Sequence, residues 1–173
     1  GLHFGRSFGA AYVGAFLGRN EFQSDETASG NGYVSGKLYG IEGQYEMGNA
    51  TLFAQIGRAD MVGDEGDNAF TGGFQRIGAS MSVDKLTLTA DLEQGRSPDV
   101  FEDGGGDWGE YRALGVAVDY QFSERVIGTM SYRNMDVVAN TEDNGFDDFY
   151  AIGIRIPLGA ATGKRNNLTT SYY

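Results

Sequence analysis

Charged residues occupy polar positions in segments where apolar and polar residues alternate. They are Glu42, Glu46, Arg76, Asp91, Glu93, Asp119, Arg133 and Arg155. If these side chains meet away from water they must pair, because each unpaired buried charge costs several kcal/mol. The sequence therefore predicts an internal ion-pair network. The excess of carboxylates also permits a second interpretation, a narrow path for ions or small solutes.

Further acidic residues lie in glycine-rich polar stretches such as DEGDN and EDGGGDWGE. Clustered carboxylate oxygens are the ligands that Ca²⁺ and Mg²⁺ prefer. The candidates for a divalent-cation site are Asp64, Glu65, Asp67, Asp103, Asp107, Glu142 and Asp143. Two other interpretations remain open: a solvated acidic surface, and a contact surface for a protein partner or a second copy of the chain.

Several kinds of chemistry are disfavoured by the residues present. The chain has no cysteine, which excludes thiol catalysis and zinc-thiolate sites. Its single histidine, His3, is predicted to lie away from the long loops, where it cannot act as the base of a hydrolytic triad. We expect no enzymatic activity and no cofactor beyond Ca²⁺ or Mg²⁺. A net charge of -11 argues against nucleic acid as a partner.

The clearest structural signal is the strict alternation of apolar and polar residues over Leu86–Glu93. The same period of two recurs over Ala113–Phe122 and Tyr150–Leu158, and it predicts strands with one apolar face. The polar positions carry mainly small residues, and the chain has only three lysines. Small residues suit a narrow lumen, so we place the apolar face outside, in lipid. A soluble ligand-binding β-barrel is the alternative.

Alternation predicts an all-β fold, an eight-stranded antiparallel up-and-down transmembrane β-barrel. The predicted strands are Phe8–Leu17, Tyr33–Met47, Thr51–Ala59, Phe70–Val83, Leu86–Gly95, Tyr111–Phe122, Val126–Met135 and Phe149–Leu158. Most reach the roughly 9–11 residues that a tilted strand needs to cross a bilayer. The barrel is assigned to residues 1–158, and residues 159–173 form a polar C-terminal extension.

The predicted connections alternate between short and long. The short ones are Gly48–Asn49, Asp84–Lys85 and Ser123–Arg125, and the long ones are Gly18–Gly32, Asp60–Ala69, Arg96–Glu110 and Asp136–Asp148. All long loops then lie at one end of the barrel, with every short turn and both termini at the other. Outer-membrane barrels show this asymmetry, with their long loops facing outward.

The chain resembles the small eight-stranded outer-membrane proteins of Gram-negative bacteria, the OmpA transmembrane domain and OmpX-like group. Gly153, Ile156 and Leu158 match the spacing of the assembly signal that closes such barrels, although Leu158 replaces the usual aromatic residue. The resemblance implies a place in the bacterial outer membrane, in contact with its lipid and lipopolysaccharide.

The expected function is that of a structural or surface-interaction barrel with a packed polar lumen and acidic extracellular loops. A small porin-like channel for ions or small solutes is the first alternative.

Overall fold

The structure, a computed structural model, describes residues 2–24, 32–62, 68–99, 109–123, 126–139 and 142–156. These residues form nine strands: β1 Leu2–Phe8, β2 Ala11–Ser24, β3 Gly32–Met47, β4 Ala50–Val62, β5 Asn68–Val83, β6 Leu86–Asp99, β7 Gly109–Ser123, β8 Val126–Ala139 and β9 Glu142–Arg155. Each strand pairs antiparallel with the next in one up-and-down sheet. Within these residues no helix has the length and hydropathy of a membrane span.

The predicted number of strands is wrong by one, and the error lies at the start of the chain. The segment predicted as a single first strand, Phe8–Leu17, contains a turn at Gly9 and Ala10. Gly9 has a φ of 63°, in the left-handed region that glycine enters without a steric penalty. β1 then pairs with β2 from Leu2 opposite Leu17 to Phe8 opposite Ala11.

The strands also extend further into the predicted long loops. β2 continues to Ser24, β4 to Val62 and β6 to Asp99. The predicted loop Asp136–Asp148 is mostly strand, with only residues 140–141 between β8 and β9. Polar residues interrupt the apolar–polar alternation in these segments, but the backbone hydrogen bonds between strands continue, because they do not depend on side-chain polarity. The connections at 25–31, 63–67 and 100–108 still share one edge of the sheet, here called the long-connection edge.

The prediction that both ends of the strand array lie at the short-turn edge is also wrong. Nine strands is an odd number, so β1 and β9 run in the same direction, from the long-connection edge toward the short-turn edge. The predicted last strand, Phe149–Leu158, begins seven residues too late and runs past Arg155, where β9 ends. Residues 157–173, including Leu158 and the predicted extension, lie outside the described residues.

The two faces of the sheet differ in the way that the alternation predicts. Large apolar side chains cover the outer face and are exposed, for example Ile77 at 64% and Leu92 at 59%. Side chains of the inner face are buried, including Phe53 at 2% and the charged Arg76. A soluble barrel would reverse this arrangement, because its apolar face would fill the interior.

An upper polar row bounds the apolar outer face toward the long-connection edge. On each of eight strands it contains the first polar residue of the outer face, counted from the short-turn edge. These residues are Arg19, Lys37, Arg58, Gln75, Gln94, Arg112, Asn134 and Asp148. In the strand register this row steps two residues toward the short-turn edge at three of the seven strand junctions. With about 3.4 Å per residue and about 4.8 Å between strands, the stagger corresponds to a strand tilt of roughly 30°. Membrane barrels have tilts of about 35–45°.

The outward residues below this row form the apolar band. On β7 the band runs from Leu114 to Phe122, and nine residues at this tilt span about 25 Å of height. Arg6 on β1 also faces outward, with its guanidinium 5.4 Å from the Phe8 ring centroid. A long cationic side chain can cover apolar surface in this way while its head reaches the interface.

The apolar band predicts a strong dependence of stability on position along a single strand. Leu88→Arg places a charge near the middle of the band and should cost about 2–4 kcal/mol. Gln94→Arg places the same charge on the same face of β6, in the upper polar row, and should cost at most about 1 kcal/mol. Urea unfolding in lipid bilayers, followed by tryptophan fluorescence, measures both. Equal costs would contradict the assignment of this face to lipid.

Candidate functional site: an ion-pair network on the inner face

Two arginines and two carboxylates form the centre of the inner face. Arg76 Nε lies 2.8 Å from Asp91 Oδ1, and Arg133 Nη2 lies 3.0 Å from the same oxygen. Arg133 Nη2 also lies 2.9 Å from Glu93 Oε2. The side chains of Arg76, Asp91 and Arg133 are each only 3% exposed. The two guanidinium groups therefore neutralise two carboxylates in a region with little access to water.

Polar side chains extend this centre across the sheet. Arg76 Nη1 donates to Gln55 Oε1 at 3.4 Å, and Gln55 Nε2 donates to Glu42 Oε2 at 3.2 Å. Tyr111 OH donates to Glu93 Oε1 at 2.7 Å on the other side. These hydrogen bonds join side chains of five strands, so each member restricts the geometry of its neighbours.

His3 continues the network onto β1. Its Nδ1 lies 2.9 and 2.8 Å from the two carboxylate oxygens of Glu42, and its ring stacks on Phe16 at 6.2 Å between centroids. Tyr12 OH donates to Glu42 at 3.1 Å. His3 is predicted only to lie away from the long loops, and no sequence pattern indicates its place in the network; β1 forms its own strand and turns the side chain inward. A continuous chain of contacts links β1 to β8.

The remaining predicted network residues lie elsewhere. Asp119 is buried on the inner face of β7, four residues beyond Gly115 toward the short-turn edge, and Glu46 is half-buried on β3. Both make contacts of their own. Arg155 pairs with Ile127 in the backbone register, but its side chain lies outside the described part of the structure. Four members of the network were not predicted from the sequence: His3, Tyr12, Gln55 and Tyr111. Tyr111 lies on the same side of β7 as Ala113 and Gly115, and this position in the strand predicts that its side chain faces inward.

Glycines make room for the network. Gly115 lies between Asp91 and Arg133 in the strand register, and a Cβ there would come 2.7 Å from Asp91 Oδ2. Gly78 likewise faces the Phe53 ring, over which the Arg76 guanidinium lies at 5.2 Å. Large side chains therefore lie flat across neighbouring strands, which lets Arg133 on β8 reach Asp91 on β6.

An aromatic cluster packs above the network, toward the long-connection edge. Phe16 on β2 and Phe74 on β5 approach to 6.0 Å between ring centroids. Both are buried, together with Ala59, and Leu38 and Tyr111 pack against them. This apolar layer covers the upper side of the ion pairs and limits their contact with water.

The predicted divalent-cation candidates do not enter the described site. Asp64, Glu65, Asp67, Asp103 and Asp107 lie outside the described residues, and so do the side chains of Glu142 and Asp143. Among the side chains that the structure does describe, no group of three or more His, Cys, Asp or Glu residues is placed to hold a metal ion. The loop cation site stays a prediction.

An antiparallel up-and-down sheet with an exposed apolar band, a tilt near 30° and a polar inner face defines an outer-membrane β-barrel protein. The family of Gram-negative porins matches residues 1–140, and the chain belongs to that family. This places it in the outer membrane of a Gram-negative bacterium. The family differs from the OmpA and OmpX-like group that the sequence pattern resembles.

Two solved structures share the fold, and both are forms of OmpT, an outer membrane protein of Vibrio cholerae. The mutant lacking loop L8 is 18% identical with a TM-score of 0.57, and the match covers 89% of this chain and 51% of that one. The in-vitro folded trimer form is 17% identical with a TM-score of 0.54, covering 89% and 54%. The chain thus spans about half the length of these proteins. The comparison with curated proteins gave no significant match.

Removing one arginine should show how much the barrel depends on the network. Arg133→Gln leaves Glu93 without its guanidinium partner in a buried position and should cost about 3–5 kcal/mol of unfolding free energy. Arg58→Gln is the matched control, because its ion pair with Asp60 is exposed and such pairs contribute about 0–1 kcal/mol. Urea titration of both variants in detergent gives the comparison. Equal losses of unfolding free energy in the two variants would show that the buried network stabilises the barrel no more than an exposed ion pair does.

The close packing over Gly115 gives a second test of the same site. Gly115→Val should displace Asp91 from the two arginines and cost about 1–3 kcal/mol, the usual effect of overpacking. Gly73→Val is the control, because a Cβ at Gly73 has only the Gly57 carbonyl oxygen nearby, at 3.8 Å. Midpoints of thermal unfolding should separate the two variants clearly. A valine tolerated equally at both positions would argue against close packing over Gly115.

Proposed function

We propose that this chain forms the wall of a channel through which small hydrophilic solutes cross the outer membrane, with a preference for cations. Membership of the porin family supports a channel. The observation that carries the proposal is the inner face, which is polar and charged along strands whose outer face is apolar. Such a wall separates a hydrated path from lipid.

The preference for cations follows from the balance of charge on the inner face. The described inner-face side chains include five carboxylates, Glu42, Glu46, Asp91, Glu93 and Asp119, and two guanidinium groups, Arg76 and Arg133. Rings of carboxylates favour cations in pores. Asp119 and Glu46 lie outside the ion-pair centre formed by Arg76, Arg133, Asp91 and Glu93, and carboxylates outnumber guanidinium groups among the described side chains of this face.

A structural barrel with a packed interior is the second candidate, and the close ion pairs favour it. Arg76, Asp91 and Arg133 are buried and mutually compensated, as expected of side chains that fill an interior. We also infer that the chain is not an enzyme. In its described contacts His3 meets the carboxylate of Glu42, the Tyr12 hydroxyl and the Phe16 ring, which include no serine nucleophile to activate.

Planar-bilayer recording tests the channel. Purified protein should give steady conductance steps, and in a tenfold KCl gradient the reversal potential should have the sign of cation selectivity. Asp119→Asn removes one inner-face charge and should shift this potential toward zero. Asp84→Asn removes the same charge from the Asp84–Lys85 turn and should leave it unchanged; asparagine tolerates the φ of 52° found there.

The outcomes separate the candidates. Folded protein that inserts into the bilayer but stays electrically silent would support the packed structural barrel and overturn the channel. Anion selectivity would overturn the role assigned to the inner-face carboxylates. Selectivity should also weaken at high salt, because the Debye length falls from about 10 Å at 0.1 M to about 3 Å at 1 M.

A further inference from the structure

Two tyrosines face each other on the outer surface of β8 and β9. Tyr132 and Tyr150 stand directly opposite in the strand register, and their ring centroids lie 5.1 Å apart with the planes tilted by 41°. This separation is near the short end of the range of about 4.5–7 Å for aromatic pairs, so ring carbons of the two phenols are in contact. Tyr150 is 77% exposed and Tyr132 is half-buried. A small reagent in solution therefore meets two phenols that are already held together.

A carboxylate is placed to take the phenol proton of Tyr132. Tyr132 OH donates to Asp148 Oδ1 at 2.8 Å, and Asn134 Nδ2 donates to the same oxygen at 3.0 Å. Loss of an electron makes a phenol strongly acidic, so a base that is already hydrogen-bonded to it eases the oxidation by accepting the proton in the same step. The hydroxyl of Tyr132 is therefore prepared for one-electron oxidation.

The position of the pair on the barrel gives oxidants access to it. Asn134 and Asp148 belong to the upper polar row, and the two tyrosines are the next outward residues on their strands toward the short-turn edge. The long loops of bacterial barrels face the cell exterior, and a tyrosine at a membrane interface keeps its hydroxyl in water. One-electron oxidants in the medium outside the cell therefore reach both phenols.

We propose that Tyr132 and Tyr150 form an oxidative cross-linking site whose product is a dityrosine. Two equivalents of a one-electron oxidant, of the class that a haem peroxidase forms with hydrogen peroxide, remove one electron from each phenol. One phenol proton passes to Asp148 and the other to water. The two tyrosyl radicals then join through a carbon–carbon bond between ring positions ortho to the hydroxyls, and each ortho hydrogen leaves as a proton while its ring oxygen regains one. The product has two hydrogen atoms fewer than the two tyrosines.

The new bond ties β9 covalently to β8. In the described ladder β9 pairs with β8, and a link between residues 132 and 150 closes a loop around the connection at 140–141. Such a loop restricts the unfolded chain in the way that a disulfide does, so the cross-linked protein should unfold at a higher urea concentration. This site lies on the opposite face of the sheet from the inner-face network and does not depend on the channel.

The test exposes purified, folded protein in detergent micelles to visible light with tris(bipyridine)ruthenium(II) and persulfate, which together generate a one-electron oxidant. Dityrosine fluorescence should appear in the monomer. Mass spectrometry of the digest should find the peptides of Tyr132 and Tyr150 joined, two hydrogens lighter than their sum. Tyr132→Phe and Tyr150→Phe should each abolish this product, because phenylalanine supplies no phenol, and circular dichroism shows that each variant keeps its β-structure.

Tyr39→Phe is the matched control. Tyr39 is also exposed on the outer face, and its hydroxyl also donates to a carboxylate, that of Asp60. In the register, however, it stands opposite Leu17 and Arg58 instead of a second tyrosine. Its replacement should therefore leave the yield of the cross-link unchanged.

Asp148→Asn tests the proton acceptor and should slow cross-linking about tenfold, less than the usual effect of a positioned base because water competes at this exposed site. Protein unfolded in urea should lose the specific product, since the register no longer holds the two rings together. A cross-link that survives either phenylalanine substitution, joins only different copies of the chain, or forms equally in unfolded protein would overturn the proposal. An unchanged rate in Asp148→Asn would overturn the role of that carboxylate, and equal urea midpoints with and without the cross-link would overturn its stabilising effect.

Discussion

The inner face of this sheet depends on charge compensation. Placing Asp91 and Glu93 side by side on one face of β6, with little access to water, is tolerable only because Arg76 and Arg133 reach them from strands on either side. That requirement sets the rest of the arrangement. Gly115 leaves room for Asp91, since a Cβ there would come 2.7 Å from Asp91 Oδ2. Gln55 links the centre to Glu42, which contacts His3. Removing one partner of a buried ion pair strongly lowers the free energy of unfolding, because the other charge is then left buried without compensation.

Much of the fold could be predicted from period-two alternation, and the failures have physical reasons. Strands β5 to β7 carry clean alternation because their outer residues face lipid, and their predicted positions agree with the structure to within a few residues. β1 was missed because its turn, Gly9–Ala10, lacks the Asn-Gly or Asp-Gly pair that marks a hairpin. β8 and β9 extend above the membrane, where lipid no longer selects apolar outer residues and the alternation disappears.

The site was predicted in part, because parity along a strand identifies a face but not a partner. Six of the eight charged residues assigned to the interior are seen there and buried, but nothing in the sequence shows that Arg133 contacts both Asp91 and Glu93. Those contacts join β8 to β6 across a glycine, at a separation of about 40 residues. His3, Gln55 and the tyrosines belong to the network through hydrogen bonds that charge patterning does not reveal.

The shared direction of β1 and β9 limits how the wall can be sealed. Strands of bacterial outer-membrane barrels run antiparallel and are even in number, and an open ladder edge cannot face hydrocarbon. If β1 and β9 met at a seam, they would lie parallel, and a second copy rotated about the membrane normal would create the same parallel seam. An all-antiparallel closure therefore needs an odd number of additional strands between these two edges, which makes the seam, and not the nine-stranded wall, the place where the strand number of the closed barrel is decided.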